Sequence, residues 1–379
     1  MQQEYNNLGS VDKLSEILSI VQPKSIFLVT GKASYKSSGA KSKLSKHIAP
    51  YNVTHFDDFS VNPQLEDVRR GIRQYQENNC DLVIAVGGGS AIDVAKSINI
   101  LAVQEKDLQK YITKELEITY SGKPLVAIPT TSGTGSEATH FAVVYIDKTK
   151  YSLGHKEFML PDYVILDPSL TCNLPSKITA STGMDALCQA IESYWSIHST
   201  KKSKQYASEA ITLIFKNLSL AVNDSNIEYR KAIMNAANLA GKAINITKTT
   251  ASHAISYPIT SYFGVPHGHA VALTLGEMFV HNTQVEAHDC LDSRGIEYTK
   301  KTMNELIDLF EVNSSEEVNQ KWQNLMDSIG LERSLSKLGV NSEEDINLIV
   351  KNGFNPERVK NNLRLLTEES LREILYKIK

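Results

Sequence analysis

The first half of the chain alternates short runs of apolar, often β-branched residues with amphipathic segments. The apolar runs lie at 25–30, 81–86 and 125–129. Continuous runs of this length are typical of strands that are buried on both faces of a parallel sheet. The intervening segment 64–78 has apolar side chains such as Leu65 and Val68 near helical spacing, so the order is strand, helix, strand. This pattern predicts a doubly wound α/β domain.

Strand-like runs almost vanish after residues 166–170, and helical spacing dominates the rest of the chain. Pro175 and Gly183, residues of types that often interrupt regular structure, lie just after this change. We therefore predict two domains, an α/β domain over residues 1–170 and an all-α domain over residues 171–379. A ligand is expected in the cleft between them.

Composition argues against several classes of protein. With 379 residues, 41% of them hydrophobic, the chain can bury a sizeable core. Its formal net charge of −3, from 40 basic and 43 acidic residues, gives no field that would attract nucleic acid or a membrane surface. Because the N-terminal residues lack the features of a signal peptide and no run of eighteen apolar residues occurs, we expect a soluble cytoplasmic protein.

The cysteines favour a reducing compartment. None of them belongs to a CxxC pair, which argues against both a disulfide framework and a thiolate zinc site. They are Cys80, Cys172, Cys188 and Cys290.

Two glycine-containing loops directly follow predicted strands. Gly87-Gly88-Gly89-Ser90 leads from a strand into a helix, where glycines let the backbone approach a pyrophosphate and the helix N-terminus offers free N–H groups. The pattern is not GxGxxG, and a tight turn without a ligand is the alternative. The segment 129–137 also follows a strand and makes the indication of a phosphate site more specific.

Asp185, His253 and His267 have the separations of a metal-ligand set. Asp185 and Gln189 are one helical turn apart and so lie on one face of a predicted helix. The two histidines are expected on a second helix and in the loop after it. A carboxylate with two imidazoles suits Fe(II), Zn(II), Mn(II) or Co(II) about equally and leaves an open position for water or substrate. The alternative is that each residue is a cap, an ion-pair partner or a satisfied core group.

The stretches 183–192 and 253–268 resemble the group III iron-containing alcohol dehydrogenase family, and the resemblance extends over nearly the whole chain. It implies the dehydroquinate synthase-like fold of that family, in which a dinucleotide-binding domain precedes a metal-binding domain. It also implies that a metal, with iron favoured, is surrounded by Asp185, Gln189, His253 and His267. Many members carry His where this chain has Gln189, whose amide is a weaker ligand, so we expect the metal to be lost readily on purification.

The resemblance also assigns the two glycine loops to a nicotinamide dinucleotide. In the family, the corresponding residues hold the pyrophosphate, lie near the nicotinamide or hydrogen-bond to the cofactor; here they are Gly87, Gly88, Gly89, Ser90, Asp93, Thr130, Thr131 and Thr134. Gly31 stands where NAD-selective members carry Asp, and Lys32 adds a cation beside it. Because an acidic residue there would repel a 2′-phosphate, we expect NADPH in preference to NADH.

The segment before His253 indicates a small anionic aldehyde as the substrate. Ordinary alcohol dehydrogenases of the family have mostly small or apolar residues there, whereas this chain has Lys248 and Thr249, with Lys242 further back. A cation and hydroxyl donors suit a phosphonate, phosphate or carboxylate. Taken together, the stretches 150–153, 189–196 and 242–257 resemble the phosphonoacetaldehyde reductase branch of the family, which reduces phosphonoacetaldehyde to 2-hydroxyethylphosphonate. The alternative is that Lys248 faces solvent at the end of a helix.

Tyr257 is the candidate for delivering a proton to the nascent alkoxide. By the same resemblance, many members have a His at this position, four residues after the first metal-binding His. A tyrosine hydroxyl can relay a proton or donate a hydrogen bond, and simple packing is the alternative.

Other functions remain open. A general short-chain aldehyde reductase would have no anion requirement, and a cyclase or lyase resembling dehydroquinate synthase would use the nicotinamide only transiently. A catalytically silent binding module would have lost its metal chemistry at Gln189. The expected partner is a small molecule rather than nucleic acid or a membrane, and relatives often form homodimers.

Overall fold

The computed structural model describes residues 2–147, 149–224, 226–354 and 356–379, and the side chains of all of these except residues 356 and 357. The chain divides into two compact units, one formed by Met1–Leu174 with Asn226–Asn235 and the other by Pro175–Ser225 with Ala236–Lys379. The predicted division at residue 170 did not include the return of 226–235 to the first unit. Met234 accounts for that return, because it is buried against Val164 and Leu166.

The strands of the first unit form a parallel sheet and a hairpin. They are β1 Gln3–Asn6, β2 Ser25–Thr30, β3 Asn52–Phe56, β4 Leu82–Gly87, β5 Leu125–Pro129, β6 Phe141–Ile146, β7 Thr149–Gly154 and β8 Tyr163–Leu166. Within the described residues the sheet has the order β1-β8-β5-β4-β2-β3 with every pair parallel, and β6 pairs with β7 in an antiparallel hairpin.

Helices cover both faces of the sheet, as a parallel sheet requires. They are α1 Leu14–Val21, α2 Ser34–Ser37, α3 Ala40–Ile48, α4 Leu65–Glu77, α5 Gly89–Leu101 and α6 Leu108–Ile112. Alternate residues of β2 enter different cores, with Phe27 and Val29 in one cluster and Ile26 and Leu28 in the other. Burial on both faces explains why these strands read as continuous apolar runs.

The direction of winding reverses between β2 and β4. From β2 the chain proceeds to the edge strand β3, whereas from β4 it proceeds to β5 on the opposite side. The carboxyl ends of strands at such a switch point form the crevice in which doubly wound proteins bind ligands. Gly31 follows β2 there, and its N–H donates to the Val86 carbonyl of β4 at 3.3 Å.

The second unit is helical. Its helices are α7 Ser176–Trp195, α8 Lys201–Asn223, α9 Ile227–Thr247, α10 Ala251–Phe263, α11 His267–Thr283, α12 Ile296–Leu309, α13 Ser315–Ser328, α14 Glu343–Gly353, α15 Pro356–Val359 and α16 Glu368–Lys377. The first part of α9 belongs to the first unit. Short 3₁₀ turns lie at Ser10–Lys13, Ser136–Ala138, Pro168–Thr171 and Ser336–Leu338. In the described part of the chain, no helix combines the length and apolarity needed to cross a membrane.

Helix α7 is the central element of the second unit. It packs against α8, α11 and α12, and nearly every side chain from Thr179 to Trp195 is buried. Polar residues on such a helix face protein on every side, so each of them needs a partner within the fold. The structure confirms the predicted order of an α/β domain followed by a helical one.

Candidate functional site

Helix α7 presents three buried polar side chains along one face. Asp185, Gln189 and Glu192 follow one another at four and then three residues, which places them on adjacent turns. Their residues are 3%, 5% and 0% exposed. A buried row of this kind is costly unless it is paired or binds a cation.

The two predicted histidines come from the beginnings of the next helices. His253 lies in the first turn of α10, and His267 is the first residue of α11, directly after Pro266. The expectation that His267 lies in a loop was wrong, because Pro266 has an extended conformation (ψ 139°) and α11 begins immediately after it. The imidazole centroids are 5.6 Å apart with an angle of 70° between the rings.

Asp185, His253 and His267 form a group that could hold a metal ion. One ligand atom from each lies within 4.8 Å of the other two. His253 Nε2 is 3.4 Å and His267 Nε2 4.0 Å from Asp185 Oδ1. Ligands about 2.1 Å from one ion are roughly 3.0–3.4 Å apart, so the first separation fits. The second needs only a small shift of the His267 ring, which is partly exposed. His253 Nε2 is buried without a hydrogen-bond partner in the described structure, as a nitrogen reserved for a metal would be.

Glu192 is a site residue that the sequence reasoning did not select. Its carboxylate accepts a close hydrogen bond from His253 Nδ1 and further bonds from the backbone N–H groups of Thr250 (3.2 Å) and His253 (3.3 Å). A carboxylate behind a metal-ligating imidazole is a recurrent arrangement. The feature of the sequence that could have indicated Glu192 is its position two turns after Asp185 on the same helix.

The buried carboxylates of Asp185 and Glu192 favour a positive charge near His253. Burial alone would lower the pKa of His253, but the Glu192 and Asp185 carboxylates outweigh it and raise that pKa to about 9. Burial would raise the pKa of Glu192, and contact with His253 outweighs it and lowers that pKa. Two buried carboxylates therefore stabilise a cation at this position, which a divalent metal would supply.

Tyr257 lies beside His267, one of the candidate metal ligands. Its ring is nearly parallel to that of His267, with centroids 6.0 Å apart and 23° between the planes, and the side chain is partly buried. The structure therefore brings Tyr257 together with the metal-site residues, in a position compatible with packing and with proton transfer.

The predicted anion-binding residues lie at the turn between α9 and α10. Lys248 is exposed and has a left-handed backbone (φ 63°), and its N–H caps α9 by donating to the Ile244 carbonyl at 2.8 Å. Thr249 is buried, whereas Lys242 is half-buried within α9. Lys248 thus has the geometry of a helix-end residue, which is the alternative to an anion-binding role.

The glycine turn after β4 is closely packed against the loop after β5. A Cβ on Gly88 would lie 3.3 Å from Thr131 Oγ1, and one on Gly89 would lie 2.7 Å from Thr134 Oγ1. The Thr130 N–H donates to the Gly87 carbonyl at 2.9 Å. The structure therefore joins the two predicted loops at the N-terminus of α5, which is the expected place for a pyrophosphate.

Asp93 and Lys96 hold these loops in place. Asp93 accepts a close hydrogen bond from Ser136 Oγ and one from the Val143 N–H at 3.0 Å. The Lys96 ammonium is buried and donates to the carbonyls of Ser136, Thr139 and Phe141. Burial lowers the pKa of Lys96 to about 8, against the opposing effect of Asp93. Ser90, at the start of α5, donates through Oγ to the Val61 carbonyl.

Gly31 and Lys32 follow β2 at the crevice. Lys32 is exposed and forms an ion pair with Asp58, at 3.6 Å between Nζ and Oδ1. Asp58 also accepts from Arg70 Nε at 2.9 Å. The cation expected beside a 2′-phosphate, Lys32, thus follows β2 as predicted, and it is paired with a carboxylate.

Comparison with known proteins identifies the family. Residues 4–168 match the family described as "Iron-containing alcohol dehydrogenase", and residues 179–378 match "Fe-containing alcohol dehydrogenase family, C-terminal". The chain belongs to the iron-containing alcohol dehydrogenase family. The resemblance and the fold expected from it are confirmed.

Individual relatives differ in their named activities. The chain is 38% identical to long-chain-alcohol dehydrogenase 1 of Geobacillus thermodenitrificans over 59% of its own length and 58% of that protein. It is 35% identical to phosphonoacetaldehyde reductase of Streptomyces viridochromogenes over 62% of its length and 61% of that protein. The crystal structure of sulfoacetaldehyde reductase from Bifidobacterium kashiwanohense in complex with NAD+ superposes with a TM-score of 0.88 at 30% identity, covering 100% of this chain and 96% of that one.

Proposed function

We propose that the protein is a metal-dependent, NAD(P)H-linked oxidoreductase that reduces an aldehyde. The observation that carries this proposal is the group of Asp185, His253 and His267, whose ligand atoms lie within 4.8 Å of one another. When bound, a divalent cation supplies Lewis-acid polarisation of a carbonyl, and a reduced nicotinamide supplies a hydride. Asp185 and the two imidazoles would hold the metal, with Gln189 beside them on α7. Iron is preferred from the family, with zinc, manganese or cobalt as alternatives.

The remaining residues position the reactants and move a proton. The loops at Gly88–Gly89 and Thr130–Thr134 would hold the dinucleotide, with Asp93 and Lys96 fixing their geometry through Ser136. Tyr257, stacked beside His267, is the proposed donor of the proton that the new alcohol oxygen requires.

We further propose that the substrate is phosphonoacetaldehyde, which would be reduced to 2-hydroxyethylphosphonate. Support comes from the named relatives, because both phosphonoacetaldehyde and sulfoacetaldehyde carry an anionic group on an acetaldehyde. Lys248, with Thr249 and Lys242, is the proposed anion site. The second candidate is a general alcohol dehydrogenase without an anion requirement, which the exposure and helix-end geometry of Lys248 favour.

Relative kcat/KM values separate these candidates. Enzyme reloaded with Fe(II) is assayed with NADPH on phosphonoacetaldehyde and on propionaldehyde. We expect a preference of about 100-fold for the anionic aldehyde, equal to about 2.7 kcal/mol of transition-state discrimination. Lys248→Ala should raise KM for the anionic aldehyde alone, while Lys300→Ala, which removes another exposed lysine, should change neither substrate. Equal kcat/KM values for the two aldehydes would reject the anion site and leave the general dehydrogenase.

The cofactor preference depends on the residue after β2. Gly31→Asp should lower kcat/KM for NADPH relative to NADH by roughly tenfold or more, because a carboxylate there repels a 2′-phosphate. The new Cβ would meet the Ser34 side chain, with Oγ at 2.3 Å and Cβ at an ordinary contact distance of 3.6 Å, and the hydroxyl can rotate away. Steady-state kinetics with both cofactors measure the ratio, with Lys36→Ala as a nearby exposed control. An unchanged ratio would show that this crevice does not contact the ribose.

The other functions make different predictions. Dehydroquinate synthase-like chemistry would show no net oxidation of the nicotinamide, and a silent binding module would retain no stoichiometric metal by elemental analysis. The cytoplasmic location and the homodimer remain predictions.

A further inference from the structure

Among the described residues, the hydrogen bonds of the Glu192 carboxylate all go to the start of helix α10. One carboxylate oxygen, Oε2, accepts from His253 Nδ1 and from the Thr250 N–H at 3.2 Å, and Oε1 accepts from the His253 N–H at 3.3 Å. The residue is 0% exposed. A buried carboxylate is tolerated only with such compensation, and the N–H groups it meets are the ones that a helix start leaves unsatisfied.

We propose that Glu192 is a positioning residue that holds His253 as the tautomer protonated on Nδ1, so that Nε2 is presented to the metal. This inference rests on the metal-dependent function proposed above. An ionised carboxylate can only accept hydrogen bonds, so the Nδ1 proton stays with Glu192 and a metal ion can displace only the proton on Nε2, whose lone pair it then takes. His253 Nε2 points to Asp185 Oδ1, 3.4 Å away, and has no hydrogen-bond partner among the described residues.

Glutamine at position 192 could not reproduce this arrangement, although it has the same shape. If its amide oxygen replaced Oε2, its NH2 group would face the His253 N–H, and two donors would oppose each other. If its NH2 group replaced Oε2, it would oppose the Thr250 N–H and would donate to Nδ1. His253 would then carry its proton on Nε2, where it could not bind a metal.

Other residues of α7 form hydrogen bonds to the same turn rather than to His253. Ser193 Oγ accepts from Thr247 Oγ1 at 2.9 Å, and Trp195 Nε1 donates to Thr250 Oγ1 at 2.9 Å. Ser193→Ala is therefore a matched control. It removes a buried hydrogen bond to the turn from the neighbouring position and leaves the imidazole untouched.

The test is metal affinity, measured by chelator competition with Co(II) or Zn(II) on the full chain, together with the absorption spectrum of the Co(II) form. Glu192→Gln should weaken binding by about 10- to 100-fold and alter the Co(II) spectrum, as loss of a residue behind a metal ligand does. Ser193→Ala should bind both metals as the wild type does. Glu192→Asp keeps the charge but is one methylene shorter, so it should lose affinity like the Gln variant.

The outcomes distinguish the inference from the proposed function. Wild-type affinity in folded Glu192→Gln, or full affinity in Glu192→Asp, would overturn the positioning role while leaving a metal enzyme. An equal loss in Ser193→Ala would also overturn it, because loosening of the turn would then be sufficient. If the wild-type protein itself binds neither metal, the metal-dependent function proposed above is rejected.

Discussion

Replacing His267 with alanine is expected to abolish metal retention and to reduce kcat/KM by about 10⁴-fold, equal to about 5.5 kcal/mol of transition-state stabilisation. His267 supplies one of three strong ligands, and a carboxylate with a single imidazole holds a divalent ion weakly. Because its side chain is 32% exposed at the start of α11, truncation leaves little buried cavity. The thermal unfolding midpoint of the metal-free proteins should therefore be nearly unchanged.

The control for this substitution is another histidine. His288 is 76% exposed and pairs only loosely with Glu286, at 3.5 Å. His288→Ala should retain wild-type metal content by elemental analysis and wild-type kinetics. Stoichiometric metal together with undiminished activity in the His267→Ala variant would place the catalytic metal elsewhere.

The parts of the fold that the sequence predicted are those with a local pattern. Strands such as β4 and β5 are short apolar runs that end in glycine or proline. Such runs are typical of strands that are buried on both faces of a sheet, as these are. The relation between Asp185 and Gln189 depends only on helical periodicity. These features required no knowledge of which elements touch.

The parts that the sequence could not predict depend on contacts between distant segments. Glu192 meets His253 only because the last turns of α7 lie beside the start of α10, 61 residues further on. The return of 226–235 to the first unit depends on Met234 meeting β8. Lys248 had a plausible charge for an anion site, but its exposure and left-handed backbone could be known only once the end of α9 was placed.

The contact between α7 and α11 also joins segments that are far apart in the sequence. A Cβ on Gly268 would lie 2.0 Å from the Ser181 carbonyl oxygen and 2.7 Å from Asp185 Cβ. Both neighbours belong to the backbone or the first side-chain atom of α7, so neither can rotate away. The two helices approach this closely only because position 268 has no side chain.

Gly268→Ala is therefore expected to separate the helices by about 1 Å and to lower the free energy of unfolding by about 3 kcal/mol. Gly268 directly follows His267, and His267 Nε2 is already 4.0 Å from Asp185 Oδ1. Moving α11 away from α7 carries the imidazole out of reach of an ion bound to Asp185. Metal affinity should consequently fall by at least roughly 100-fold, as judged by chelator competition at a temperature where the variant is folded.

Gly276→Ala, on the same helix, separates this effect from general overpacking. Its Cβ would meet Asn319 Oδ1 at 2.3 Å, the far end of a flexible side chain, and Trp322 Cδ1 at 3.1 Å, both on α13 rather than on α7. We expect this variant to lose some stability but to bind metal with wild-type affinity. If both glycine variants bind metal equally well, the distance between α7 and α11 does not determine the geometry of the ligands. If Gly268→Ala alone loses metal, the closeness of these helices is what brings the carboxylate of one and the imidazole of the other to a single ion.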